Sequence, residues 1–544
     1  MGTSIRAALA ADPDLGAGNV LPKLIEHGAP LDGPGLGFDT PVDGLPAFHG
    51  MTLGELRDRV AARAAWLHAQ GIGPRDPVAV YVSAAADCFL HFMALTWLGA
   101  IPALMNPALP GDVAAEYIRR LRAVGLVADG AHRGLLAGES LGLARDLLID
   151  PASTGSGEPA AAPAPYRHHQ QDPIAITHSS GTTRMPTAVV HSNASLFAAT
   201  RLIRLKTPRA QGTERVLCTL PAPHAAGIAA INHIMCNRGE LLFLSQQADG
   251  PAIVETIERW KPTGVFGFAA TWAALARIDL TERDVDSVAL WYNTGDCAHE
   301  AHVRRLVAAG SRQTVGRGGV GRVPGSMFVD GLGSTEMGHS AFHITHRPDT
   351  ERYGRCIGRP HVFVEIALLD LATGKEVPPG EVGHFGLKSP SVAAGYWNDS
   401  AGWYRTRFQG YYLTGDLLYR DEEGYYYHVD RAVDAIDLGG GQWLYTAQSE
   451  ENILRTCPDV HDCTVVAAKG PDGRVTTDVL LALHDWADPG VDRTAEVRAA
   501  LTEAAAATLR EVVVVGEDHL ITGPTGKVRK FLMRQRSLAR AAAD

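Results

Sequence analysis

Cysteine is scarce and poorly placed for chemistry. The seven residues, Cys88, Cys218, Cys236, Cys297, Cys356, Cys457 and Cys463, are an odd number, scattered, with no C-x-x-C pair. That spacing excludes a disulfide framework and a thiolate zinc site, and it points to a reducing compartment. Excess basic charge is also missing: a formal net charge of -10 leaves no general attraction to nucleic acid or to an anionic membrane surface. No apolar run is both long and unbroken. The most apolar stretch, 88–105, is interrupted by His91, Gly99 and Pro102 and reads as a core helix running into a strand, so no membrane span is expected. Met1 to Asp12 holds one arginine and no apolar signal core, so a cytoplasmic protein is expected.

What is present is enough chain for more than one core, 544 residues with 46% hydrophobic and 20% charged, so at least two domains are predicted. Thr52-Leu53-Gly54-Glu55 fits a capping box, followed at helical spacing by Leu56, Val60, Ala64 and Leu67 up to Gly71. A strand is predicted over Pro77–Val82, a helix over Ala85–Leu98 and a strand near Ile101–Met105, an alternation that indicates a layered α/β domain. The stretch from Asp150 to Gln171, rich in Pro, Ala, Gly and Ser, reads as an exposed connection. After it, helix–strand alternation resumes through Trp291. Gly354 to Tyr427 has short β-like runs and Gly/Pro turns, which predicts a small β-rich subdomain, and a last α/β unit begins near Ala432, with strands at Cys463–Ala468 and Val479–Leu483 and a helix over Thr494–Leu509.

One loop organises the chemistry. Thr177 to Asn193 reads T-H-S-S-G-T-T-R-M-P-T-A-V-V-H-S-N. Its hydroxyls, glycine and backbone N–H groups suit an oligophosphate, and the apolar run before it, Pro173–Thr177, reads as a strand feeding the loop. No lysine occurs within it, so it is not a Walker loop. Four stretches accompany it: Leu220–Gly227 with His224 in an apolar turn; Asp330-Gly331-Leu332-Gly333-Ser334-Thr335-Glu336; Tyr412-Leu413-Thr414-Gly415-Asp416; and Gly523-Pro524-Thr525-Gly526-Lys527-Val528-Arg529. Two decoys drop out. Gly316–Gly321 satisfies G-x-G-x-x-G, but Pro324 and Gly325 stand where a helix should open. His299-Glu300-Ala301-His302 lacks the i, i+4 spacing of zinc proteases, and His339, His343 and His346 are read as pocket or surface residues rather than as a metal site.

In this order and spacing, with Gly395-Tyr396-Trp397-Asn398 between Glu336 and Tyr412, the motifs resemble the adenylate-forming superfamily of acyl-CoA synthetases, adenylation domains and luciferases, over about Met51 to Arg534. The resemblance implies an α/β fold: a large N-terminal domain, residues 1–431, of layered α/β subdomains plus the β-rich subdomain, and a smaller mobile C-terminal α+β domain, residues 432–544. It implies ATP and Mg²⁺, with CoA as one candidate co-substrate. Ser179, Ser180, Gly181, Thr182 and Thr183 would hold the β- and γ-phosphates, Glu336 would hold Mg²⁺, and Thr335 would touch the α-phosphate. Asp416 would accept the ribose hydroxyls and Arg431 would reach the nucleotide. Thr294, Gly295 and Asp296 would line the adenine together with Gly331, Leu332, Gly333 and Ser334. Lys527 would bridge the attacking oxyanion and the α-phosphate, and His224 would border the acyl pocket.

Departures from the family pattern matter. Arg184 and Thr187 stand where the family has glycine and lysine, so Arg184 is read as taking over part of the phosphate neutralisation. Leu332 replaces an aromatic residue. Val433 and Asp434 occupy the hinge, and the loop Gly439-Gly440-Gly441-Gln442-Trp443 is longer than usual, which bears on thioester formation to CoA. The first reading is an ATP-dependent ligase that activates a small, aromatic organic acid as acyl-AMP, releasing pyrophosphate, and passes it to CoA, a carrier thiol or an amine. The second is a diazotase of secondary metabolism that activates nitrite and couples it to an aryl amine. The third is a non-catalytic nucleotide-binding relative.

Overall fold

A computed structural model describes residues 4–179, 185–207, 214–245, 247–316, 319–516, 530 and 532–535. The predicted start of the fold is in place. Thr52 caps the helix Leu53–Ala69 and Glu55 returns the bond to the Thr52 backbone, completing the capping box. Strand Pro77–Tyr81, helix Ala85–Trp97 and strand Ile101–Leu104 follow. The helix Ala85–Trp97 is buried on nearly every face, which explains its continuous hydrophobicity; among the described residues no helix is long and apolar enough to cross a membrane.

Two large sheets carry the N-terminal part. In the smaller, of seven strands, Leu147–Ile149, Gly125–Ala128, Pro77–Tyr81, Ile101–Leu104 and Pro173–His178 run in that spatial order, and Ala188–Ser192 and then Gly395–Tyr396 close the edge antiparallel. The larger, of fourteen strands, has a parallel centre built from Pro34–Phe38, Glu240–Phe243, Arg215–Cys218, Gly264–Gly267, Leu290–Asn293 and Met327–Asp330. It continues through antiparallel strands Phe342–His346, Cys356–Pro360, Tyr426–Arg431, Tyr411–Arg420, Gly383–Lys388 and Glu365–Leu369. The main core lies between the sheets: Leu56, Phe89 and Ile228 from helices pack with Val78 and Ile174 of one sheet and Leu36 and Phe243 of the other. Burial of this kind, roughly 25 cal/mol per Å² of apolar surface, is the main favourable contribution to the fold.

The region from Gly354 to Tyr427 is β-rich as predicted, and its strands extend the large sheet edge to edge. Two expectations are corrected. The stretch 150–171 is not a plain exposed connection: it forms a turn of helix, Pro151–Thr154, and buries Thr154 and His168. Thr154 Oγ1 pairs with the buried His91 Nε2 at 2.9 Å, a tertiary bond that composition does not announce. The predicted helix over Thr494–Leu509 breaks into Thr494–Ala500 and Glu503–Ala507. Leu501 turns extended, Thr502 caps the second piece, and the β-branched run 512–514 belongs to a strand, Leu509–Val514. That strand completes a three-stranded sheet with Val460–Lys469 and Val475–Leu483, against which helix Thr446–Thr456 packs.

Candidate active site

Open parallel sheets present ligands at the carboxyl ends of their strands, and three predicted segments emerge there, with a fourth, at Phe268, that was not predicted. The chain leaves Arg215–Cys218 toward His224, Gly264–Gly267 toward Phe268, Leu290–Asn293 toward Thr294–Asp296, and Met327–Asp330 toward Gly331–Glu336. Asp330 anchors the last two. Its Oδ1 accepts Asn293 Nδ2 at 2.6 Å and the Gly331 N–H at 2.8 Å, and its Oδ2 accepts the Ala298 N–H at 3.1 Å. Burial raises its proton affinity, and these donors oppose the rise. The Gly333 N–H then donates to the Gly295 carbonyl at 2.9 Å, and Thr294 Oγ1 meets Ser340 Oγ at 3.1 Å. The two predicted adenine-lining segments are therefore one surface. Leu332 itself is buried in a core cluster with Cys297, Met337 and Phe342.

Glu336 is tied to the phosphate-loop hairpin. Strand Pro173–His178 turns back through the loop into Ala188–Ser192, with Thr177 opposite Val189 and His178 opposite Ala188. The Ser179 N–H donates to the Thr187 carbonyl at 3.2 Å. Tyr396 pairs in turn with Val189 and donates its hydroxyl to Glu336 Oε1 at 3.4 Å, while the Glu336 carbonyl accepts the Ala393 N–H at 2.8 Å. Burial pushes the Glu336 carboxyl up; its own backbone N–H and the charge of Arg431 pull the other way. A buried carboxylate that takes side-chain hydrogen bonds from Tyr396 and Ser334 is a set of oxygens that suits a hard divalent cation. On the other side, Thr335 Oγ1 lies 3.4 Å from His224 Nε2. His224 also caps the helix Ala225–Cys236 through the Ala226 N–H and sets its ring edge-on to Phe268 at 5.0 Å. Residues Ser180, Gly181, Thr182, Thr183, Arg184 and Lys527 lie outside the described residues.

Asp416 and Arg431 stand opposite each other on adjacent antiparallel strands, with Arg431 Nε 3.2 Å from Asp416 Oδ1. Burial alone would raise the Asp416 carboxyl; the Arg431 charge and the His428 ring outweigh it and hold the group below the ordinary carboxylate value. The structure thus brings Ser179, His224, Thr294, Gly295, Asp296, Gly331, Gly333, Ser334, Thr335, Glu336, Asp416 and Arg431 onto elements joined by direct pairing or hydrogen bonds. Sequence reasoning gave Tyr396, Asn293 and Asp330 no role of their own beyond the motifs that contain or adjoin them. The signal for each was its place in or beside a motif; that Asn293 and Asp330 pair with each other carried none, since the bond joins two strand ends.

The described residues hold the seven cysteines as buried free thiols. Residues 42–397 match the family model of the AMP-binding enzymes. A 3-aminoavenalumate diazotase from Streptomyces sp is 42% identical over 98% of each chain. A 3-amino-2-hydroxy-4-methoxybenzoate diazotase from Streptomyces cremeus is 27% identical over 78% of this chain and 79% of its own. The solved structure of the anthranilate CoA ligase AuaEII in complex with anthranoyl-AMP matches at a TM-score of 0.83 with 22% identity, over 98% of this chain and 99% of that one. The chain belongs to the AMP-binding, adenylate-forming family and is an ATP-dependent, AMP-forming enzyme.

Proposed function

We propose that the enzyme is a diazotase that activates nitrite with ATP and couples it to an aryl amine that also carries a carboxylate. The observation that carries this reading is the 42% identity, over 98% of each chain, to a diazotase; the name of the second relative, an amino-hydroxybenzoate diazotase, supports the substrate class. A nitrite oxygen attacks the α-phosphorus of ATP and pyrophosphate leaves, giving a mixed nitrite–AMP anhydride. The amine nitrogen attacks the nitroso nitrogen, AMP leaves with the O–N bond broken, and the amine loses one proton. The N-nitroso amine tautomerises to the diazo hydroxide, takes up a proton and loses water to give the diazonium ion. Nitrogen oxidation states balance without a redox partner, and CoA has no place in the sequence.

In this reading Ser179 to Thr183, with Arg184, hold the β- and γ-phosphates, Asp416 accepts the ribose hydroxyls with Arg431 beside it, and Lys527 neutralises the α-phosphate. Thr294 to Asp296 and Gly331 to Ser334 frame the adenine. Glu336 would hold Mg²⁺, whose charge offsets that of the phosphate oxygens. Thr335 and His224 border the reacting centre, and His339, whose burial lowers its pKa to about 4, keeps an uncharged wall beside Ser340. Residues 1–431 and 432–544 act as two domains, and a cytoplasmic location fits the buried thiols.

The test measures pyrophosphate release with aminobenzoates and ¹⁵N-nitrite, and with carboxylates alone. Nitrite-dependent release and a diazo product one mass unit heavier with the label are expected. Nitrite-independent release with a hydroxylamine-trappable acyl-AMP would replace this reading with the acid ligase.

A further inference from the structure

Arg355 belongs to none of the motifs above. It enters the strand Cys356–Pro360 with a backbone φ of +63°, a left-handed conformation uncommon outside glycine, and its side chain is only 2% exposed. A buried cation in a costly backbone conformation has a reason in its partners. The Nε donates to the His428 carbonyl at 3.2 Å, and the Nη2 to His428 Nδ1 at 2.6 Å. The Nη2 also reaches Asp296 Oδ1 at 3.3 Å. The Arg355 carbonyl takes the His428 N–H at 3.0 Å. One guanidinium therefore spans the adenine-lining segment and the strand beside Asp416.

The chemistry of that contact fixes a proton. A guanidinium only donates, so the Nδ1 it faces carries the lone pair, and the ring hydrogen of His428 is placed on Nε2. This Nε2 belongs to a ring 2% exposed, has no hydrogen-bond partner among the described residues, and lies 3.7 Å from Asp416 Oδ1. At that distance the two atoms are near neighbours, farther apart than a made hydrogen bond.

We propose that Arg355 and His428 are positioning residues for the nucleotide. Arg355 locks the His428 tautomer and ties Asp296 to the ribose-facing strand, and His428 Nε2–H steadies Asp416 as an acceptor for the ribose hydroxyls. The proposal rests on the reading of Asp416 as the ribose contact.

Equilibrium binding of ATP and of 2′,3′-dideoxy-ATP to the full chain tests it without any acid or amine. Asp416→Ala is the reference; Arg355→Gly, Arg355→Lys, His428→Phe and the double variant Arg355→Gly/His428→Phe are the probes. Glycine is at ease at φ +63°, and the double variant leaves no buried unpaired cation, so folding is preserved. Each probe except the lysine is expected to weaken ATP about three- to tenfold and to shrink the preference for ATP over the dideoxy analogue by a similar factor. Arg355→Lys is expected to fall between, because one ammonium can donate to Nδ1 but cannot span Asp296 as well. If Asp416→Ala abolishes the preference while the double variant and His428→Phe keep it at the wild-type value, the proposal fails and the ribose reading stands. If Asp416→Ala leaves the preference intact, both fail.

Discussion

Asp416 is pulled two ways, and the balance decides its chemistry. Burial favours its neutral form, yet the charge of Arg431 and the His428 ring leave it below the usual carboxylate range. Its ionisation therefore adds stability above the unfolded-state value near 3.9 and loses it as pH falls through the depressed folded value. Across neutral pH the group stays ionised, and ATP affinity is expected to show no limb from it. Asp416→Ala is expected to weaken ATP binding about ten- to a hundredfold, the loss of charged hydrogen bonds to two hydroxyls; calorimetry reads this directly. Glu336 differs because burial raises its pKa. Glu336→Gln removes a buried charge, so the free protein is expected to melt at the same temperature or higher while Mg²⁺-dependent turnover drops about a hundredfold. A large loss of melting temperature, with turnover retained, would overturn the assignment of Glu336 to the cation.

At the level of elements, backbone constraints place these groups. Gly338, two residues after Glu336, sits at φ +68°, and a β-carbon there would lie 2.2 Å from the Ser391 carbonyl oxygen. Gly338→Ala must move that turn away from the segment that holds Ala393 against the Glu336 carbonyl. We expect a stability loss of at least about 2 kcal/mol, read as an earlier denaturation midpoint, together with reduced turnover. By contrast, Thr52→Ala removes only the cap of the helix Leu53–Ala69, far from the site, and is expected to cost about 1 kcal/mol with turnover unchanged.

For the whole molecule, the contact between helices Glu300–Ala308 and Thr446–Thr456 couples the two parts of the chain. Glu451 takes His299 Nδ1 at 2.6 Å and the Glu300 N–H at 3.1 Å, and His302 Nε2 meets the His461 carbonyl at 2.6 Å. Burial lowers the His299 pKa, but Glu451 more than compensates and the group ends above its ordinary value; Glu451 itself ends below its own despite burial. A raised histidine contributes its full stability below about 6.5 and loses it as pH climbs through the folded value; the carboxylate needs pH above about 4.3. Hydrogen exchange over 446–456 is thus expected to be slowest in mildly acidic buffer and to accelerate toward pH 8, after correction for intrinsic rates. His299→Ala should flatten that change, and an unchanged profile in the variant would exclude His299 as its source.

Much of this was written locally. Thr52 and Glu55 announce a helix start because a capping box acts within four residues, while the hydroxyls and glycine after Thr177 suggest an oligophosphate only in company with the other motifs. Glu336 and Asp416 were legible from short motifs whose order carries the family resemblance. Arg355 and His428 were not, because their partners are distant in sequence and pairing register is a property of the sheet. The break at Leu501 was likewise invisible to periodicity: an alanine-rich run allows one helix or two, and packing against the sheet Val460–Lys469 selects two. The sequence by itself determined the family and the nucleotide, since those depend on chemistry carried within single segments. Only the tertiary structure decided how Tyr396 reaches Glu336 and how one buried guanidinium ties Asp296 to His428, since those contacts join residues 59 to 73 positions apart.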